Sequence, residues 1–405
     1  MKIQNPLPQT APLPRLASPS KEEKEQRETT EALPVVDENK MLSSQSRGSE
    51  LGKEALQALR KSGGTVLRQP EAPNSLHNLT NVKKALEADQ EKEKVALSKL
   101  QPDQRTLYEK IKGLVSDAAD MVRSLQRLLV DEKIPGKPDL KDGKDLLQNL
   151  CTLAEQPLAE GLDRESLVGH LLAEIADPAT INQRNRNTCG AATAQILLAK
   201  NSPAEYVRLV SGLASPEGKV SMSNGDTLLR EPGTEKADDS KRTASSRLLQ
   251  PAFMEYANGK DDYDNATDLN TGKETYVGLY AEQMDSLLEA SNGIKFDTVL
   301  VKEDRDVPAA MKKLEESADK GHATPILFDY PDAGGHFVGV TGVSAEKVNF
   351  INPWGQEEDM PRQDFEKRLW AVSIPQEKPQ AKLHLPFFQG LGESLQGIWK
   401  RLFNK

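Results

Sequence analysis

An α+β fold is predicted from three features of the 405-residue chain. Apolar residues recur at helical spacing through most of 51–213, and alternating β-branched and aromatic runs fill 296–374. Helices come first and strands afterwards, the order expected when helices and an antiparallel sheet pack as segregated layers rather than alternating βαβ units.

Residues 1–50 hold Pro6, Pro8, Pro12, Pro14, Pro19 and Pro34 among Ser, Gln and charged residues. So little apolar area cannot offset the entropy of ordering, and a disordered leader is expected. From 51 to 176 a helical region follows, a candidate pro-region or partner-binding module. Its clearest stretch is "PDQRTLYEKIKGLVSDAADMVRSLQRLLVDEK", where Leu107, Ile111, Leu114, Ala118, Met121, Leu125 and Leu128 fall on one face of a single long helix. Weaker helices at 51–61, 79–98, 143–156 and 164–176 complete a small bundle.

After residue 189 a helix is expected to about 199 and another over 203–213. "KVSMSNGDTLLR" then reads as a hairpin with a type I′ turn at Asn224-Gly225. "SSRLLQPAFMEYANG" predicts a helix bent at Pro251 and stopped by Gly259, while 231–243 and "KDDYDNATDLNTGKE" read as loops. That acidic stretch lacks the glycine and glutamate spacing of an EF-hand, so a solvated loop is preferred to a calcium site. Strands are expected at 296–301, 324–330, 336–343, 347–354 and 370–374, with a helix at 306–319. In the tail, Phe388, Leu391, Leu395, Ile398 and Leu402 share one side of an amphipathic segment, with Lys400 and Arg401 opposite. Docking on its own protein is preferred there to contact with a membrane, because Gly390, Gly392 and Gly397 weaken the helix.

With 53 basic against 62 acidic residues the net charge is −9, and no long basic stripe exists to neutralise phosphates, so nucleic acid is excluded as a general partner. Cys151 and Cys189 allow one disulfide at most, which favours a reducing compartment. No apolar signal core opens the chain and no run of 18 apolar residues occurs. The expected location is therefore the cytoplasm, or export by a route without a Sec signal, as for a bacterial secreted effector. His77, His170, His322 and His384 show no metal-ligand spacing, so neither a metal nor another cofactor is expected.

Cys189 sits where the polar run "INQRNRNT" becomes the apolar helix "CGAATAQILLAK", and a helix start favours the thiolate. His336 follows "PDAGG" and opens a strand, with Gly334 and Gly335 leaving room beside the ring. The next strand, joined through "SAEK", ends in Asn352, so imidazole and carboxamide should meet across an antiparallel ladder. Cys151 has no such company and is expected in the core.

These residues resemble the papain-like cysteine peptidases over residues 180–375, and "NPWG" at 352–355 is similar to the calpain type of asparagine motif. Gln183 precedes Cys189 by six residues, Asn352 follows His336 by sixteen, and the order Gln, Cys, His, Asn is the family's. The family's "CGxCW" opening is absent. The resemblance implies a two-lobed fold, a helical lobe plus an antiparallel sheet lobe, occupying 177–375 between the helical N-terminal region and the tail from 376. It implies Cys189 as nucleophile, His336 as base and then acid, Asn352 as orienter of the ring, and Gln183 as oxyanion donor, with Asn185 or Asn187 as alternative donors. Trp354 would shield the His336–Asn352 bond, and Gly190 would admit a close neighbour. The expected activity is that of a cysteine endopeptidase acting on a protein or peptide substrate. A transglutaminase or deamidase on the same scaffold, and a non-catalytic interaction protein, are the alternatives.

Overall fold

The computed structural model describes residue 84 and residues 87–376, apart from 260, 261, 272–277 and 332. The leader, the helix expected at 51–61 and the amphipathic tail lie outside the described residues. The chain is α+β: helices occupy the first half and a six-stranded antiparallel sheet the second.

Helices α1 (Gln90–Lys99), α2 (Pro102–Leu114), α3 (Ala119–Val130), α4 (Leu146–Glu155) and α5 (Arg164–Ala176) come first. The single long helix expected over 102–133 is two, broken at 115–118. Val115 closes α2 by donating to the Ile111 carbonyl, and the small polar pair Ser116-Asp117 turns the chain. The break lets both apolar faces reach one core, where Ile111, Leu125 and Leu128 are all buried; a straight rod would carry one of them away. α3 then lies so close to α5 that a Cβ on Gly169 would fall 2.1 Å from the Met121 sulfur. Cys151 is buried in this core, as expected.

Next come α6 (Cys189–Asn201), α7 (Pro203–Ala214), the hairpin β1 (Lys219–Ser221) and β2 (Thr227–Leu229), and α8 (Ala244–Asn258), which keeps Pro251 inside it and stops at Gly259 with φ +68°. The β1–β2 hairpin forms with a different turn from the type I′ expected. Only Gly225 takes a positive φ (+96°), and the Met222 carbonyl accepts from the Gly225 amide, so the turn is three residues long with its left-handed position on the glycine. The acidic stretch expected as a loop folds as a second hairpin, β3 (Asp262–Asp264) and β4 (Leu269–Thr271), because Asp264 accepts from the Ala266 amide and the Thr267 hydroxyl and so caps its own turn. Helix α9 (Ala281–Asn292), which the sequence reading passed over, leads into the sheet.

The sheet contains β5 (Phe296–Leu300), β6 (Thr324–Tyr330), β7 (Gly334–Val343), β8 (Lys347–Asn352), β9 (Gln356–Pro361) and β10 (Leu369–Pro375), in the order β5-β10-β6-β7-β8-β9. Helices α10 (Val307–Asp319) and α11 (Arg362–Arg368) complete the fold. Alternation along the strands sends side chains to two cores. Phe337 and Ile351 join the helices of the first half, while Val338, Val340, Val348 and Phe350 pack with Leu314 of α10 and Phe365 of α11. The first core is continuous from Ala96 through Ile351, so the boundary drawn at 176/177 falls inside shared packing. α6 is the helix laid against the sheet: Ala191, Ala192, Ala194, Ile196, Leu197 and Leu198 are all buried, and Gly339 of β7 brings the strand against Ile196. The first residue of that helix is therefore delivered to the edge of β7.

Candidate active site

The segment leading into α6 is stitched to the turn after β8. The Gln183 amide donates to the Pro353 carbonyl at 2.7 Å, and Asn182 Nδ2 donates to the Trp354 carbonyl at 2.6 Å. This contact is possible because position 355 is glycine. Its φ is +87°, and a Cβ there would stand 2.5 Å from Asn182 Nδ2. Farther along, Asn187 donates from its backbone amide to both Asp268 oxygens (3.0 and 2.9 Å) and from Nδ2 to one of them (2.6 Å). Tyr263 secures the same carboxylate from its hydroxyl at 2.9 Å. The acidic hairpin thus anchors the approach to Cys189.

Thr188, the residue before the helix, does not cap it. Its hydroxyl donates to Gln250 Oε1 at 2.9 Å, at the head of a buried polar chain. Gln250 donates to Gln195, Gln195 to the Tyr206 hydroxyl, and Tyr206 to Glu174, which also accepts from Thr243 and Ser245. With Thr188 turned away, the first-turn amides of α6 stay available. The Cys189 sulfur has the backbone amides at the start of α6 and the Phe337 amide of β7 near it, and their N–H dipoles favour its charged form. The thiol therefore lies against the backbone immediately after His336.

The β7–β8 register pairs Gly339 with Ile351, so continuing it sets Asn352 one diagonal step from His336. His336 Nε2 meets Asn352 Oδ1 at 2.9 Å; His336 is 4% exposed and Asn352 is fully buried. Two aromatic rings enclose the imidazole. Trp354 lies over it with centroids 4.6 Å apart, and Tyr330 of β6 meets it edge-on at 5.4 Å. Behind Asn352 stands Glu358 of β9, whose Oε1 accepts from Asn352 Nδ2 (2.8 Å) and Gln356 Nε2 (2.5 Å) and whose Oε2 accepts from the Tyr330 hydroxyl (2.8 Å).

Burial sets the protonation states. It drives the His336 pKa down to about 4, against the opposing pull of the Asn352 bond and the Glu358 charge. Cys189 keeps some accessible surface, yet its surroundings desolvate the sulfur and raise the thiol pKa, with the Asp268 charge adding to the rise and the three amide donors opposing it. At neutral pH the resting pair is thiol and imidazole, not the thiolate a helix start alone would favour.

The structure thus brings His336, Asn352 and Trp354 to one place, sets Cys189 at the start of the helix packed on the strand of His336, and ties Gln183 to the turn after Asn352. Gln183 Nε2 gives one hydrogen to the Arg186 carbonyl at 2.6 Å and retains a second. Asn187 Nδ2 gives one hydrogen to Asp268. Gly190 admits Leu279, which a Cβ would meet at 3.0 Å, whereas Gly335, expected to leave room beside the ring of His336, makes way for Trp370, which a Cβ would meet at 2.8 Å. Sequence reasoning missed Asp268, Tyr330 and Glu358. For Glu358 a signal existed, since a residue two beyond the partner of Asn352 on the next strand returns to the same face. For Asp268, 81 residues from Asn187, no local pattern carries one. No known family model matches the chain, and no curated protein does.

Proposed function

We propose that the protein is a cysteine endopeptidase of the papain-like type, its helical part and its sheet serving as the two lobes and Cys189 and His336 facing each other between them. The observation that carries this reading is the convergence of distant parts of the chain: the helix that begins at Cys189 packs on the strand that carries His336, and His336 Nε2 meets Asn352 Oδ1 at 2.9 Å. A thiol beside an imidazole that a buried carboxamide orients is the arrangement nucleophilic acyl transfer requires.

With Nε2 held by Asn352, Nδ1 takes the thiol proton as sulfur attacks the scissile carbonyl carbon. Because both groups rest neutral, that transfer proceeds as charge develops on substrate oxygen rather than beforehand. The oxyanion accepts from the Cys189 amide and from the remaining Gln183 Nε2–H; one such donor contributes about 2.7–4 kcal/mol to transition-state stabilisation. The imidazolium then protonates the leaving amine, and a water deprotonated by Nδ1 hydrolyses the thioester.

The test is to incubate the full chain and its Cys189→Ala variant with a denatured protein mixture and to read new termini by mass spectrometry. Termini that depend on Cys189 are expected. Their absence overturns the peptidase reading, and Cys189-dependent ammonia release without cleavage would assign deamidase or transglutaminase chemistry to the same thiol.

A further inference from the structure

We infer that Glu358, held by Tyr330, is a positioning residue that fixes the amide orientation of Asn352 and, through it, the tautomer of His336. The inference rests on the reading of His336 as the base, and it explains how that ring comes to have a bare nitrogen for the thiol.

A carboxylate offers only acceptors, so the Asn352 atom 2.8 Å from Glu358 Oε1 must be the amide nitrogen. The other end of the same carboxamide faces the Trp354 amide N–H at 3.2 Å and must be oxygen. Two independent partners thus impose one orientation on a group that could otherwise be turned end for end. The oxygen, itself only an acceptor, is what His336 Nε2 meets, so Nε2 carries the hydrogen. A neutral imidazole has one N–H, which leaves Nδ1 with its lone pair. Were Asn352 reversed, its NH₂ would face Nε2, the ring hydrogen would move to Nδ1, and no acceptor would remain for the thiol proton.

Tyr330 makes the device rigid. Its hydroxyl holds Glu358 Oε2 at 2.8 Å while its ring packs on both His336 and Trp354, at 5.4 and 4.8 Å between centroids. Gln356 fixes Oε1 from the other side. One residue on β6 and two on β9 therefore set a proton on a ring carried by β7, a role that needs no contact with substrate.

Ring-¹⁵N-histidine labelling of the full chain at pH 7 reads the tautomer directly, with His336→Gln identifying the resonances. Wild type is expected to show a pyrrole-like Nε2 and a pyridine-like Nδ1. Glu358→Ala is expected to populate the Nδ1–H form and to slow Cys189 alkylation by iodoacetamide about tenfold, a modest part of what a positioned base contributes. Glu358→Gln is expected to restore the wild-type tautomer, since its carbonyl can accept from Asn352 and Gln356 while its amide donates to Tyr330. A wild-type ring protonated on Nδ1 overturns the inference, as does a Glu358→Ala ring that keeps a single Nε2–H form. Neither readout requires peptidase activity, so the tautomer can hold while the peptidase reading fails, and a wild-type Nδ1–H form overturns the inference even if the alanine variant does not fold.

Discussion

His336 should write its burial into the pH dependence of stability. Its folded pKa lies near 4 against about 6.5 for an unfolded histidine. Between those values the unfolded chain binds a proton that the folded chain refuses, so the contribution is complete above pH 6.5 and is lost as pH falls toward 4. At 1.36 kcal/mol per pH unit the gap corresponds to about 3 kcal/mol. His336→Gln isolates this term, because glutamine can still donate to Asn352 yet stays neutral throughout. Urea unfolding of both proteins at pH 4, 5, 6 and 7 should show the wild type losing about 3 kcal/mol relative to the variant between pH 7 and pH 4. A difference constant to within about 0.5 kcal/mol, or one that grows in favour of the wild type as pH falls, would refute the assignment of a buried, neutral imidazole.

Two further substitutions probe the seam between the approach to Cys189 and its supports. Gly355→Ala places a Cβ against Asn182 Nδ2 at a left-handed φ of +87° and should destabilise by about 2–3 kcal/mol in urea unfolding, whereas Gly113→Ala, inside α2 with nothing within 4 Å, should stabilise slightly. Asp268→Ala strips the Asn187 amide, its side chain and the Tyr263 hydroxyl of their shared acceptor, and should lower stability by at least about 2 kcal/mol, with Asp268→Asn losing less; a loss under about 0.5 kcal/mol would show that the acidic hairpin does not hold the segment.

Local chemistry settled much of this molecule in advance. The helix after Cys189, the Pro251-containing helix ended by Gly259, and the strands carrying His336 and Asn352 follow from residue periods of 3.6 and 2 and from turn residues, all of which act within a few positions of one another. The pairing of these two strands follows as well from their short connection, but the bulge between Val340 and Gly342, which shifts the register by one and so puts His336 and Asn352 on the same face, does not. Only the tertiary structure decided where the amphipathic run from 102 to 133 breaks, since continuous helical periodicity and a helical hairpin present the same pattern until a core demands both faces. It alone decided that an acidic stretch anchors Asn187, that Gly335 yields to a tryptophan rather than to the histidine ring, and that Glu358 stands behind Asn352. It also decided the charge state: a helix start stabilises a thiolate, but desolvation among packed neighbours outweighs it and leaves thiol and imidazole neutral. The physical reason is range, for propensity and period act between residues close in the chain, whereas burial and buried hydrogen bonds depend on which distant segments the core brings together.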